Sequence, residues 1–146
     1  MTVVDFGCGP GFFTIDMAKM VGESGRVIAV DLQGSMLQKL REKIQGAELE
    51  ERVILHKCEE DNIGIAGQVD FILAFYVVHE VPRQDVFFRE IQSTLKTNGL
   101  MCVVEPPFHV STKAFRQEVE KAQEAGLTAC KGPKVLFGKT VVLKKG

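Results

Sequence analysis

The sequence lacks any long apolar run and has few cysteines. Its longest strongly apolar segment, residues 71–78, is far shorter than the roughly 18 to 20 residues that cross a bilayer. The N-terminus also lacks the charged-then-apolar pattern of a secretory signal. The four cysteines show no C-x-x-C spacing, which favours reduced and mostly buried thiols: Cys8, Cys58, Cys102 and Cys130. We therefore expect a cytoplasmic protein with no membrane partner.

Neither sign of charge dominates the chain. The 18 basic and 19 acidic residues leave a net charge of −1, and they are mixed along the sequence without the basic patch that marks DNA or RNA binding. The chain also has no internal repeat and no low-complexity tract. Its 146 residues fit a single domain that can bury a core on both faces of a sheet. We expect one domain, residues 1–146, and a small or neutral partner.

Strand and helix patterns alternate from end to end, which predicts an α/β fold with a mainly parallel sheet covered by helices. The fourth strand is apolar throughout except for Asp70, so it should lie centrally, beside the first strand. Helices are expected to end at Gly22, at Gly46, at Asn98-Gly99 and at Gly126. The predicted strands are 3–6, 26–30, 53–56, 69–75, 100–104, 127–130 and 139–143. The predicted helices start at Phe12, at Gly34-Ser35, near Val86 and at Ser111.

The most informative segment is residues 3–11, which read VVDFGCGPG. Glycine at alternate positions removes three Cβ atoms from a strand-to-helix turn, so a ligand can lie directly against the main chain. A dinucleotide site requires G-x-G-x-x-G, and the third glycine of that motif would fall at Phe12 here. A nicotinamide or flavin dinucleotide is therefore the weaker interpretation of this turn.

This segment resembles the first motif of the class I S-adenosylmethionine-dependent methyltransferases. That motif, acid-x-G-x-G-x-G, is filled by Asp5, Gly7, Gly9 and Gly11, and further matches follow downstream in the order that the family requires. The resemblance implies a three-layer Rossmann-like methyltransferase fold, with a mostly parallel central sheet and an antiparallel C-terminal hairpin strand. It also implies S-adenosyl-L-methionine as cofactor and in-line transfer of its methyl group to a small-molecule acceptor, with no nucleic acid partner.

Two acids are the strongest candidates for cofactor binding. Asp31 ends the second strand, where a carboxylate accepts hydrogen bonds from both ribose hydroxyls; the alternative is a helix-capping or turn aspartate. Asp5 suits the ammonium of the methionine portion, or it bonds nearby loop amides. The amides around Gly7 and Gly9, with the N-terminus of the following helix, suit the methionine carboxylate.

Two further segments complete the predicted cofactor site. After the third strand, Cys58 occupies the place where the family usually has an aspartate that accepts a hydrogen bond from the adenine amino group. The candidate acceptors here are therefore Glu59, Glu60 or main-chain atoms. The alternative is that these acids are only a charged run at the surface. The resemblance also implies that the segment after the fourth strand borders the transferring methyl group, and Ala74 and Phe75 are the expected contacts there. The complete predicted set is Asp5, Phe6, Gly7, Gly9, Gly11, Asp31, Leu32, Met36, Cys58, Glu59, Glu60, Ala74 and Phe75, of which Leu32 and Met36 serve equally well as core.

His79 and Glu105 are the candidate catalytic residues. His79 follows the fourth strand and is a candidate general base, and Glu105 ends the fifth strand; the alternatives are a turn histidine and a loop-anchoring carboxylate. A base is required only where the acceptor still carries its proton. His56 and His109 have no partner at ligand spacing, so no metal is expected. Glu105 opens a Glu-Pro-Pro-Phe stretch that we interpret as a stiff loop.

Two rival functions remain open at this point. Only Met1 and Thr2 precede the first strand, whereas the family usually has helices there that cover the pocket. We therefore expect a core domain lacking these N-terminal lid helices, and it could be a cofactor-binding module that needs another segment or a partner for catalysis. A nicotinamide oxidoreductase is the third possibility and rests on fold analogy alone. The sequence indicates no oligomeric state.

Overall fold

Seven strands form one sheet in the computed structural model, which describes residues 1–146. The strands are β1 (Thr2–Phe6), β2 (Arg26–Asp31), β3 (Val53–Lys57), β4 (Val69–Phe75), β5 (Leu95–Glu105), β6 (Leu127–Lys131) and β7 (Lys139–Lys145). Their order across the sheet is β3-β2-β1-β4-β5-β7-β6. β7 runs antiparallel to both β5 and β6, and the other neighbouring pairs are parallel. The predicted fold class and the central position of β4 beside β1 are confirmed.

The helices cover both faces of this sheet. They are α1 (Thr14–Val21), α2 (Gly34–Ile44), α3 (Gln84–Thr94) and α4 (Thr112–Glu124), with short 3₁₀ turns at Glu50–Arg52 and Val78–Glu80. Successive residues of a strand point to opposite faces. On β1, Val4 therefore joins the core cluster that contains Phe88 of α3, and Val3 packs in a cluster with Ala18 of α1. The result is three layers, with α1 and α2 on one face and α3 and α4 on the other.

Two predicted boundaries were wrong. Helix α1 begins at Thr14, not at Phe12, because the chain is still turning through residues 7–13. Helix α3 ends at Thr94, and β5 begins at Leu95 rather than Leu100. Leu95 pairs with Val69 as the first strand residue, and the register then shifts before Leu100 pairs with Phe71. Leu95 continues the apolar spacing of α3, but it is buried as the first residue of β5. The apolar pattern therefore runs past the end of the helix.

The predicted start of the last helix is confirmed. The Ser111 Oγ accepts a hydrogen bond from the main-chain N–H of Ala114 at 3.0 Å, which satisfies one of the unpaired donors at the N-terminus of α4. This cap fixes the start of the helix directly after the loop that leaves β5. Among all the helices, none combines the length and the apolar character needed to cross a membrane.

Candidate cofactor cavity and adjacent carboxyl cluster

The glycine turn after β1 folds back onto the end of β2. The main-chain N–H groups of Gly7 and Cys8 donate to the Val30 carbonyl at 2.8 and 3.0 Å. The Gly9 N–H donates to Asp31 Oδ2 at 2.9 Å, and the other carboxylate oxygen, Oδ1, accepts from the Gln33 N–H at 2.8 Å. The glycine turn and the carboxylate at the end of β2 therefore lie together at the carboxyl edge of the sheet.

Two positions in this turn require glycine. Gly7 has a φ of +71°, and a Cβ placed there would lie 2.6 Å from Cγ2 of Val77. Gly11 has a φ of +100°, and its Cβ would overlap the side chain of Leu40 on α2. Positive φ values are unfavourable for residues with a Cβ, so both steric contact and backbone conformation exclude larger side chains here.

The same hydrogen bonds correct one prediction. The N–H groups of Gly7, Cys8 and Gly9 donate to Val30 and Asp31, and the Gly11 N–H donates to the Cys8 carbonyl at 3.1 Å. None of these amides is free for a ligand carboxylate, because the turn uses them to hold its own shape. The N-terminal end of α1 stays the predicted partner for the methionine carboxylate.

A cavity of about 420 Å³ opens beside the turn. This volume falls within the roughly 300 to 1,000 Å³ typical of small-ligand sites. Eight predicted residues line it: Phe6, Gly7, Asp31, Leu32, Met36, Cys58, Glu59 and Glu60. The other lining residues are Gln33, Tyr76, Val77, Glu80, Val81 and Pro82. The cavity therefore spans the carboxyl ends of β1, β2, β3 and β4.

The lining residues that sequence reasoning missed mostly follow β4. The prediction identified this segment as a border of the site but placed the contacts at Ala74 and Phe75. Tyr76 has a φ of +59°, and its N–H donates to the Val104 carbonyl at 2.7 Å. This bend directs the chain across the mouth of the cavity after Phe75. Ala74 and Phe75 themselves are not among the lining residues.

On the β3 side, Cys58 is tied to the same edge. Its N–H donates to the Asp31 carbonyl oxygen at 3.0 Å, and a tight turn follows in which Glu59 and Asn62 exchange main-chain hydrogen bonds at 3.0 and 3.3 Å. Burial, together with the nearby charge of Asp31, raises the pKa of the Cys58 thiol. Cys58 is therefore a neutral wall of the cavity, and Glu59 and Glu60 supply the exposed carboxylates beside it.

Asp5 lies behind the glycine turn rather than in the cavity. Its carboxylate is 2% exposed and accepts a hydrogen bond from the Thr14 hydroxyl at 2.6 Å. Burial raises the pKa of Asp5, and the charge of Asp31 adds to this, against the opposing effect of the Thr14 hydrogen bond. Asp5 thus fastens the first turn of α1 to β1. Its predicted contact with an ammonium group stays a prediction, and Gly9 and Gly11 likewise lie outside the cavity lining.

The two predicted catalytic residues are brought together. The imidazole Nδ1 of His79 lies 3.1 Å from Glu105 Oε1, and its Nε2 lies 3.9 Å from Oε1 of Glu80, which lines the cavity. Burial raises the pKa of Glu105, whereas hydrogen bonds with Glu118 and His79 act in the opposite direction. Nε2 of His79 therefore faces Glu80, which lines the cavity, although His79 itself is not a lining residue.

The remaining histidines take other roles. Nε2 of His56 lies 2.7 Å from the Ile63 carbonyl oxygen, and the His109 ring stands edge-on to His79 with centroids 6.2 Å apart. No group of three or more His, Cys, Asp or Glu side chains is placed to hold a metal ion.

Comparison with known proteins places this geometry in context. The sequence profile described as "Methyltransferase domain" matches residues 1–140. The chain is 27% identical to an S-adenosylmethionine-dependent methyltransferase from Aquifex aeolicus of known structure, with a TM-score of 0.84 over 99% of this chain and 80% of that one.

Two curated relatives are matched over part of their length. A demethylmenaquinone methyltransferase from Lactobacillus johnsonii is 32% identical over 103 residues, which are 70% of this chain and 42% of that protein. An arsenite methyltransferase from Halobacterium salinarum is 28% identical over 130 residues, which are 88% of this chain and 32% of that protein. The matched regions therefore span less than half the length of these relatives.

Proposed function

Because the chain belongs to the class I S-adenosylmethionine-dependent methyltransferase family, we propose that it binds this cofactor in the 420 Å³ cavity and methylates a small molecule. The observation that carries the proposal is the pairing of Asp31 with the glycine turn, through the 2.9 Å hydrogen bond from the Gly9 N–H. The Asp31 carboxylate, which we assign to the ribose hydroxyls, and the glycine turn, which a ligand can approach closely, then lie at one edge of the sheet.

The residues around the cavity fit the cofactor. Gly7 lines the cavity and carries no side chain, so a ligand can approach the main chain of the turn at this position. Both oxygens of Asp31 already accept one main-chain hydrogen bond, and each keeps a lone pair for a ribose hydroxyl. Leu32 and Met36 offer apolar surface for an adenine ring, with Glu59 and Glu60 as acceptors at its edge.

When bound, the cofactor supplies a methyl group already activated on a sulfonium. The protein then has to align the acceptor and exclude water, and alignment of this kind lowers a barrier by roughly 7 to 11 kcal/mol. For an acceptor that still carries a proton, we assign His79 as the base. Glu105 fixes Nδ1 of its imidazole at 3.1 Å, and Nε2 takes the proton.

The acceptor class follows from two features. The chain has a net charge of −1, which gives no attraction for a polyanion. The two curated relatives are named for demethylmenaquinone and arsenite, and both are small molecules. These features support a small-molecule acceptor and not a nucleic acid.

Calorimetry and methyl transfer together test the proposal. We expect saturable binding of S-adenosylmethionine and of its demethylated product, and methyl transfer to at least one member of a panel of phenols, quinols, thiols and amines. The matched control is NADH, for which no binding is expected because Phe12 replaces the third glycine of the dinucleotide motif. Absence of heat at millimolar S-adenosylmethionine, or tight NADH binding in its place, would contradict the proposal.

A second candidate function is a cofactor-binding core that requires an additional segment for catalysis. The observation that favours it is a set of exposed aromatic side chains near the carboxyl edge, among them Phe12, Phe108 and Phe137, which are 75%, 94% and 82% exposed. Cofactor binding without transfer to any acceptor of the panel, followed by transfer once an upstream segment is added, would favour this function over the first.

A further inference from the structure

Beyond His79 and Glu105, a third ionisable group lies in the same buried cluster. Glu118 on α4 is 3% exposed, and Glu105 is fully buried. Three separate elements supply the cluster, since His79 lies in the 3₁₀ turn Val78–Glu80, Glu105 ends β5 and Glu118 lies at the middle of α4. The proposed function uses only the first two of these groups.

The hydrogen bonds of the two carboxyls are incomplete without an added proton. Glu105 Oε1 faces Nδ1 of His79, but Glu105 Oε2 and Glu118 Oε1 are buried atoms for which no N–H or O–H donor is available. The two side chains nevertheless lie within hydrogen-bond reach of each other. Two adjacent buried carboxylates cannot both be ionised at ordinary cost. One proton shared between the two side chains removes one of the charges and supplies the donor that the pair lacks.

The surroundings indicate which carboxyl holds that proton. Burial, reinforced by the neighbouring Glu105, raises the pKa of Glu118 to about 8, while His79 and Lys121 act against this shift. Burial, with a further contribution from the charge of Glu80, raises the pKa of Glu105, while hydrogen bonds from Glu118 and His79 act against this rise. The favoured arrangement has Glu118 protonated and donating to a charged Glu105.

We infer that Glu118 is a positioning residue for His79: its proton keeps Glu105 ionised, and Glu105 in turn holds the imidazole as the Nδ1–H tautomer with a free lone pair on Nε2. This inference rests on the proposed role of His79 as a base. A neutral imidazole carries one N–H, so the hydrogen bond at Nδ1 decides which nitrogen is basic. With the Glu118 proton removed, Glu105 takes up a proton from solvent, keeps it, and donates an O–H hydrogen bond to the lone pair of Nδ1. The N–H of His79 then moves to Nε2, where no proton can be accepted.

The test is ¹⁵N NMR of the imidazole nitrogens in the protein without cofactor, comparing wild type with Glu118→Gln and Glu118→Leu. We expect the Nδ1–H tautomer in wild type at a pH where His79 is neutral. Glu118→Gln is expected to keep it, because the amide NH₂ still donates to Glu105. Glu118→Leu, which removes the donor, is expected to transfer the N–H from Nδ1 to Nε2. His56 is the internal control, since its Nε2 faces the Ile63 carbonyl and its signals should not change in either variant.

An Nε2–H tautomer of His79 in wild type would overturn the inference, as would an unchanged tautomer in a folded Glu118→Leu protein. If Glu118→Leu does not fold, infrared difference spectroscopy of wild type against Glu118→Gln decides. A protonated carboxyl band is expected at neutral pH in wild type and is expected to be lost in the variant, and its absence from wild type contradicts the inference. Neither readout uses cofactor or acceptor, so failure of methyl transfer alone would count against the proposed function and leave the positioning role standing.

Discussion

The carboxyl edge of the sheet has two halves, one at the ends of β1 and β2 and one beyond β4 and β5, and they depend on different chemical groups. At the ends of β1 and β2, the cavity is shaped mainly by main-chain groups, with N–H donors of Gly7, Cys8 and Gly9 folded onto Val30 and Asp31. Beyond β4 and β5, the cluster of Glu105, His79 and Glu118 depends on side chains that must share protons. The first half holds a shape, whereas the second sets protonation states. Substitutions in the two halves should therefore change different properties.

The largest expected effect comes from His79→Gln. Loss of a general base typically lowers the rate of a proton-dependent step by roughly 10²- to 10⁴-fold, so the turnover of a protic acceptor should fall by this amount. The affinity for S-adenosylmethionine should stay within about twofold, since His79 does not line the cavity. Steady-state kinetics and calorimetry on one preparation measure both quantities.

His109→Gln is the matched control for this variant, because His109 is close to His79 but is exposed and makes no hydrogen bond with Glu105. Its turnover should remain near that of wild type. Full turnover of a protic acceptor by the His79→Gln enzyme would contradict the assignment of proton transfer to the half that contains His79.

The next largest effect is expected for Gly11→Ala. The new Cβ would overlap Leu40 at a φ of +100°, and overpacking together with a left-handed backbone costs roughly 2 to 5 kcal/mol. Urea denaturation should show this loss in the free energy of unfolding.

Gly9→Ala is the control for the turn, because its Cβ would meet no atom within 4 Å at a φ of +56°. We expect a loss of only about 1 to 2 kcal/mol for the positive φ alone. Equal losses in the two variants would show that the contact between the turn and α2 does not shape the cavity.

Much of the half formed by the ends of β1 and β2 was predictable, because the residues that build it lie in short segments of the sequence. The motif in residues 3–11 and the acid at the end of β2 follow from spacing along the chain, and parallel strands bring their carboxyl ends to one edge. The use of the turn's own amides was not predictable, because it depends on the register between β1 and β2. The hydrogen bond between Asp5 and Thr14 was not predictable either, because it depends on where α1 begins; the predicted contact of Asp5 with an ammonium group stays a prediction.

The carboxyl cluster was predictable only in part. His79 and Glu105 each follow a predicted strand, so both could be proposed as site residues. Glu118 was missed because it reads as one more acid in the charged helix α4. A signal was present, since Glu118 lies three residues after Phe115 and four before Ala122, so helical periodicity places it on the inward face with these apolar residues. The contact with Glu105 was not predictable, because it depends on how α4 packs against the sheet.

A smaller effect is expected for Asp31→Ala. Hydrogen bonds to a charged acceptor contribute roughly 1.5 to 3 kcal/mol, so the affinity for S-adenosylmethionine should fall about 10- to 150-fold. Asp61→Ala removes an exposed acid from the neighbouring turn after β3 and should change the affinity less than twofold. Calorimetric titration of both variants separates a specific contact from a general loss of negative charge. Equal affinities in the two variants would contradict the assignment of Asp31.

The last prediction is a pH dependence of stability in Glu118→Gln. The pKa of Glu118 is raised from 4.5 to about 8, so between these values the unfolded chain loses a proton that the folded protein keeps. The free energy of unfolding of wild type therefore falls as pH rises through this window. Glutamine does not titrate, so the variant should gain stability relative to wild type, by at most about 1.4 kcal/mol per pH unit. Thermal denaturation at pH 5 and pH 8 measures this difference, and a constant difference would contradict a protonated Glu118.

The location of the cofactor is tested most directly by mapping amide NMR shifts during titration with S-adenosylhomocysteine. The account predicts the largest shifts at Gly7, Asp31, Met36 and Cys58 around the cavity, and little change at residues 96–99 on the opposite edge of the sheet. Absence of shifts at millimolar ligand, or shifts confined to residues outside the cavity, would contradict it.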